Sequence, residues 1–218
     1  MLEKYKTVYE GGEGEIVEKK SRFIATVRPV KTEEEALAFI EEMKKKYWDA
    51  RHNCYVYSVG KNREYTRCSD DGEPSGTAGR PMLDVILGED IYNVAVVVTR
   101  YFGGVLLGTG GLVRAYSGAV QAGLGESTVI EKHHGISLAL TADYTAIGKL
   151  QYIAAENQLP VLDTEYTDKV IMHLLVPNDQ IGRIQKVITE ATSGRIKMEK
   201  EKELYFADVE GKIKVFDH

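Results

Sequence analysis

The run Val94-Ala95-Val96-Val97-Val98 constrains this chain more than any other stretch. It has no polar alternation, so the strand it predicts, Tyr92 to Tyr101, must be covered on both faces and forms the spine of an α/β domain. The surroundings fit that role. Extended segments are expected over Tyr5 to Tyr9 and Gly14 to Val27, then a capping box at Thr32-Glu33-Glu34-Glu35, where Thr32 satisfies open amides and Glu35 reaches back. It starts a helix with Ala36, Phe39, Ile40, Met43 and Tyr47 on one face. Strands follow at Asn53 to Val59 and Glu64 to Cys68, with helices at Ala78 to Leu87 and Thr109 to Leu124.

The texture changes after Gly125. Thirteen of the 21 glycines lie from Gly60 to Gly125 and five come later, which places a domain boundary near Gly125 to Gly135, with His133-His134 as a solvated pair in a linker. Beyond it the pattern reads strand Ile136 to Leu140, helix Thr145 to Asn157, strands Val161 to Tyr166 and Lys169 to Val176, a helix capped by Asn178 or Asp179 and stopped by Gly194, and a strand from Arg195 to Val209. That β-α-β-β-α-β order is the split pattern of a ferredoxin-like sandwich. The expected architecture is therefore α/β (α+β) in two domains, residues 1–132 and 135–218.

Charge narrows the function. A net charge of −5 argues against indiscriminate coating of nucleic acid, yet six of ten arginines and only one of eighteen lysines fall between Arg51 and Arg114. Arginine's planar fork suits phosphate and carboxylate, so the window reads either as a contact surface or as a set of pairs with its own seven acids. No apolar stretch approaches the ~20 residues of a membrane helix, and the first residues lack a signal-peptide core, so a cytosolic protein with no membrane partner is expected. Cys54 and Cys68 are expected to be reduced.

Three constellations carry possible chemistry. The stretch Thr99 to Ser117 holds Gly103, Gly104, Gly108, Gly110 and Gly111 between Arg100 and Arg114, and glycines ahead of a helix N-terminus suit anions. It lacks the Gly-Lys-Ser/Thr of a P-loop, and Val113 stands where a dinucleotide fingerprint needs glycine. Asp70, Asp71 and Glu73 are weak candidates for a metal, in a stretch that is also made of turn residues, and no resident cofactor is expected. His52 and Cys54 make neither a zinc spacing nor a specified nucleophile pair.

Taken together, Arg51-His52-Asn53-Cys54-Tyr55, Asp70-Asp71-Gly72-Glu73-Pro74, Gly76 to Leu83, Thr99 to Gly104 and Leu107 to Tyr116 resemble the IMPACT family in its bacterial YigZ/YvyE branch. The resemblance implies a first domain with a ribosomal protein S5 domain 2-like fold and a ferredoxin-like second domain similar to elongation factor G domain V. It also implies a link to translational control and association with RNA or the ribosome. Eukaryotic relatives regulate an initiation-factor kinase through a further domain that is not found in these residues, so that role is not expected here.

The function expected is non-enzymatic RNA docking through Arg51, His52, Arg67, Arg80, Arg100 and Arg114 with the glycine-loop amides, and base stacking by Tyr101, Phe102 or Tyr116 if exposed. The alternative is an enzyme that uses Leu107 to Gly111 as small-molecule kinases of the GHMP type do, with an acid of residues 70–73 on magnesium, although Leu112 and Val113 replace that family's serines. A third is protein docking on the ferredoxin-like sheet.

Overall fold

The computed structural model describes residues 2–216. Its contacts divide into two compact units, Tyr5–Glu131 and a second comprising the residues from Lys132 onward together with those up to Lys4.

In the first unit the valine run lies in the strand β7 (Val94–Tyr101), at the middle of a sheet. Before it come β1 (Lys4–Glu10), β2 (Glu13–Glu18), β3 (Ser21–Pro29), helix α1 (Glu33–Lys46), β4 (His52–Val59), β5 (Tyr65–Ser69), α2 (Gly79–Gly88) and β6 (Ile91–Tyr92), and after it α3 (Thr109–Gly125). The five strands run β2-β3-β7-β4-β5, every neighbour antiparallel. β7 is covered on both sides, as its sequence requires: Val94, Val96 and Val98 pack with Met82, Ile86 and Tyr116 of α2 and α3, while Ala95 and Val97 pack with Phe39 and Ile40 of α1. β1 and β6 form a short parallel pair, Lys6 opposite Ile91, fastened by the Thr7 hydroxyl on the Tyr92 carbonyl at 2.9 Å.

Two local expectations are refined here. The segment Gly14 to Val27 is a hairpin, not one extended piece; it turns at Lys19 and Lys20, whose φ angles are 45° and 67°. The Thr32 hydroxyl accepts from the Glu35 amide at 3.2 Å, but the Glu35 carboxylate takes the amide of Lys31, one residue earlier than a capping box has it.

The second unit contains α4 (Ile147–Glu156), β9 (Val161–Tyr166), β10 (Val170–Pro177), α5 (Ile181–Thr192), β11 (Lys197–Val209) and β12 (Lys212–Phe216), preceded by β8 (Thr128–Ala142). β8 to β11 pair in the order β9-β10-β8-β11, all antiparallel. That is the order a ferredoxin-like β-α-β-β-α-β chain produces. Leu138, Leu140, Met172 and Leu174 of the sheet bury against Leu150 and Ile153 of α4 and Ile184 and Ile188 of α5.

Residues expected to form a linker are largely strand. His133 and His134 pair across from Phe206 and Tyr205, and His134 is buried with its Nε2 3.4 Å from Glu203, so the two histidines are not a solvated pair. Neither Asn178 nor Asp179 caps α5: they start a turn of 3₁₀ helix, and the Asn178 amide donates to Glu3 at 3.1 Å. α5 ends on left-handed Ser193 and Gly194. β12, beyond the last expected strand, folds back on β11 through Glu210 and Gly211, both at positive φ.

Candidate functional site

The antiparallel ladder brings the motifs to one end of the first unit's sheet. Register pairs His52 with Arg100 and Arg22 with Tyr101, so the start of β4, the end of β7 and the Lys19-Lys20 turn share a rim. The loop after β5 returns to it, because the Asp71 carboxylate accepts the Asn53 amide at 2.6 Å. Loop 102–108 leaves from the same rim into α3. Gly103 must be glycine, since a Cβ there would lie 2.1 Å from the Lys20 carbonyl carbon, and its amide donates to Ser21 at 3.1 Å. Gly104 and Gly108 sit at φ 83° and 72°, which only glycine adopts without strain. Gly110 and Gly111 lie in the first turn of α3 at ordinary φ.

Beneath the rim lies a buried polar cluster. Arg100, 7% exposed, donates to Glu73 at 2.6 Å, and the Tyr116 hydroxyl donates to the same carboxylate oxygen at 2.8 Å. The Arg100 guanidinium lies between the rings of Phe23 and Phe102, at 5.4 and 5.6 Å, while its Nε has no protein partner. Burial above all, with Cys54 and Glu73 adding, pushes the Tyr116 hydroxyl far above a tyrosine's usual range. His52 joins through Nδ1, 2.8 Å from the Asp71 carbonyl, with Nε2 4.0 Å from Glu73. Asn53 ties the layer together, its side-chain oxygen accepting from Thr99 at 2.7 Å and its amide nitrogen reaching the Tyr47 carbonyl at 3.4 Å.

The three acids of loop 70–78 are engaged inside the fold. Asp70 accepts the amides of Gly76, Ala78 and Gly79 at 2.8, 3.0 and 2.8 Å and so caps α2. Burial pushes its carboxyl upward, but these amides more than offset that and hold it below the ordinary carboxylate value. Asp71 serves Asn53, and Glu73 serves Arg100 and Tyr116. Cys54 donates to the Asp70 carbonyl at 2.9 Å, and burial first of all pushes its thiol up to about 12, which leaves almost no thiolate near neutrality.

The expected contact residues therefore divide. Arg100 is corrected outright: it faces an acid of its own fold and not solvent, because β7 directs it into the α2 and α3 layer. Tyr116 is buried, and Tyr101 is half-buried with its hydroxyl on Asp49 at 2.8 Å. Arg67 sits away from the rim, 3.7 Å from Glu33 of α1. Arg80 is exposed and pairs with Asp84 one turn along α2. Arg51 and Arg114 are exposed, as are Lys19 and Lys20, and among the described residues no acid pairs with any of the four. α3 begins uncapped by any side chain and has no acid in its first turn. Lys19 and Lys20 escaped the sequence reading because lysines at positive φ give no turn signal.

Comparison with known proteins finds matches in both units. The Impact N-terminal domain matches residues 19–124, and a domain of unknown function, DUF1949, matches residues 140–195. The IMPACT family member YvyE of Bacillus subtilis is 43% identical over 195 residues, which is 89% of this chain and 90% of that protein. YigZ of Escherichia coli is 32% identical over 182 residues, 83% of this chain and 89% of that protein. A solved structure described as that of an hypothetical protein aligns with a TM-score of 0.59 at 29% identity, covering 93% of this chain and 99% of its own.

Proposed function

The chain belongs to the IMPACT family, and from that premise we propose that it is a non-enzymatic binding protein linked to translation, which docks RNA phosphates on the rim of its first unit. The rim itself carries this reading: Lys19, Lys20, Arg51 and Arg114 are exposed there without acidic partners, beside the uncapped start of α3. Such cations and open amides receive phosphate oxygens, and they fix position without reading sequence. In a chain of net charge −5, a surface of this sign is local, so association with RNA is confined to one face.

The buried cluster has the scaffolding part. Arg100, Glu73 and Asn53 hold the loops that present the cations, so some motif residues shape the surface while Arg51 and Arg114 form part of it. A nucleotide-consuming enzyme finds less support, because Asp70, Asp71 and Glu73, the acids it would direct at magnesium, already accept internal donors.

Fluorescence anisotropy with labelled ribosomal RNA fragments tests the proposal. Saturable binding at 50 mM salt that falls steeply by 200 mM is expected, since each phosphate contact releases counterions (these salt levels are about those over which such binding is diagnosed). Absence of saturable binding at the lower salt refutes it.

A further inference from the structure

We infer that the rim is built for single-stranded RNA, with Trp48 and Phe102 as the platforms on which unpaired bases stack. This rests on the rim being the RNA-docking face, and it adds what kind of RNA is taken.

Trp48 is the only tryptophan of the chain, and its side chain stands 81% exposed in the turn from α1 to β4, far from the core burial usual for so large a ring. Phe102 is 52% exposed at the end of β7. They occupy the same rim, because Asp49, next to Trp48, accepts the hydroxyl of Tyr101, next to Phe102, at 2.8 Å. The backbone just before Trp48 is tied down where Asn53 reaches the Tyr47 carbonyl at 3.4 Å, and the Phe102 ring lies 5.6 Å from the Arg100 guanidinium. Exposed cations lie on either side, Lys45 and Arg51 near Trp48, Arg114 and Lys20 near the loop that carries Phe102.

Rings alternating with cations suit a strand whose bases are available on their faces; a duplex hides those faces in its own stack. The Asp49–Tyr101 bond lies between the segments that carry the two rings, so they make separate platforms; Phe102 shares its loop with exposed Val105 and Leu106, which is why vesicles are included in the test.

The single tryptophan makes the test direct. Full-length protein is titrated with a labelled 20-mer of oligouridylate, with an RNA duplex of equal length, and with vesicles of phosphatidylcholine and phosphatidylserine, following RNA anisotropy and Trp48 emission. The expected result is quenching of Trp48 in step with oligouridylate binding, and affinity for oligouridylate at least about fivefold above that for duplex, within the range base stacking provides. Trp48→Ala and Phe102→Ala should each weaken oligouridylate binding about fivefold or more, with Trp48→Phe restoring most of it. Duplex bound as tightly, with Trp48 emission unchanged, overturns the single-strand inference and leaves RNA docking standing. No binding of either RNA overturns both, and a blue shift with vesicles alone assigns the rim to a membrane surface instead.

Discussion

Arg100 and Glu73, 27 positions apart, meet at 2.6 Å with both side chains almost fully enclosed, in the midst of the motifs that identify the chain. A buried pair of this kind is a poor source of net stability but costly to break by halves, because the survivor is an uncompensated charge. Glu73→Gln or Arg100→Met should therefore lose about 3–5 kcal/mol in urea unfolding, and the double replacement Glu73→Met with Arg100→Met should lose less than the two single losses combined. Additive losses would show that the two groups do not act as a pair.

Asp70 offers a test of the loop. Asp70→Ala removes the acceptor for three amides and should cost about 1–2 kcal/mol, with hydrogen exchange accelerating first at Gly76, Ala78 and Gly79. Its lowered carboxyl works above the unfolded value, so the Asp70 contribution is present near neutrality and lost as pH falls through the still lower folded value. Wild type and variant should then converge in acid, as equilibrium unfolding at pH 7 and pH 3 would show.

His173 behaves with the opposite sign. Its ring lies 3.0 Å from Glu201 and 3.3 Å from Glu165, and the Glu201 hydrogen bond, ahead of the other contributions, raises its pKa above the ordinary 6.5. The stability it gives is complete below 6.5 and fades as pH rises through the raised folded value. His173→Gln should destabilise the protein more at pH 6 than at pH 9 in thermal melts. An equal loss at both would remove the imidazolium from the account.

At the rim, Arg114→Ala and Lys20→Ala should leave the free energy of urea unfolding within about 0.5 kcal/mol of wild type, because both side chains are exposed without partners among the described residues. Each should reduce the salt slope of RNA binding by about one phosphate contact. Unchanged slopes would take these cations out of the interface.

Gly110 separates folding from docking. A Cβ there would meet only the tip of Arg114, at 3.6 Å, and the residue is helical, so Gly110→Ala should stabilise α3 by about 0.5–1 kcal/mol. It should nonetheless weaken RNA binding, since the added methyl group stands beside the amides that would receive phosphate. A variant both more stable and equally tight would move the docking point elsewhere.

What the sequence made legible follows from range. Val94 to Val98, the face of α1 and the Thr32 hydroxyl cap are short-range signals, and the structure has each of them. The Lys19-Lys20 turn has no glycine, asparagine or proline to mark it, and the strand through His133 and His134 depends on pairing with Tyr205 and Phe206 some seventy positions on. For the same reason Arg100 read as a surface cation: nothing local to Thr99-Arg100-Tyr101 announces that Glu73 arrives from another loop. Trp48, outside every motif, gave no signal at all until its exposure was seen.

The Asn53 and Glu73 lattice bears on how such chains can diversify. It uses buried signature residues as frame, so Lys19, Lys20 and Trp48, which lie outside the signatures, can be exchanged without disturbing it. Two chains with identical signatures could thus keep one architecture while recognising different molecules, and their affinities would have to be measured one chain at a time.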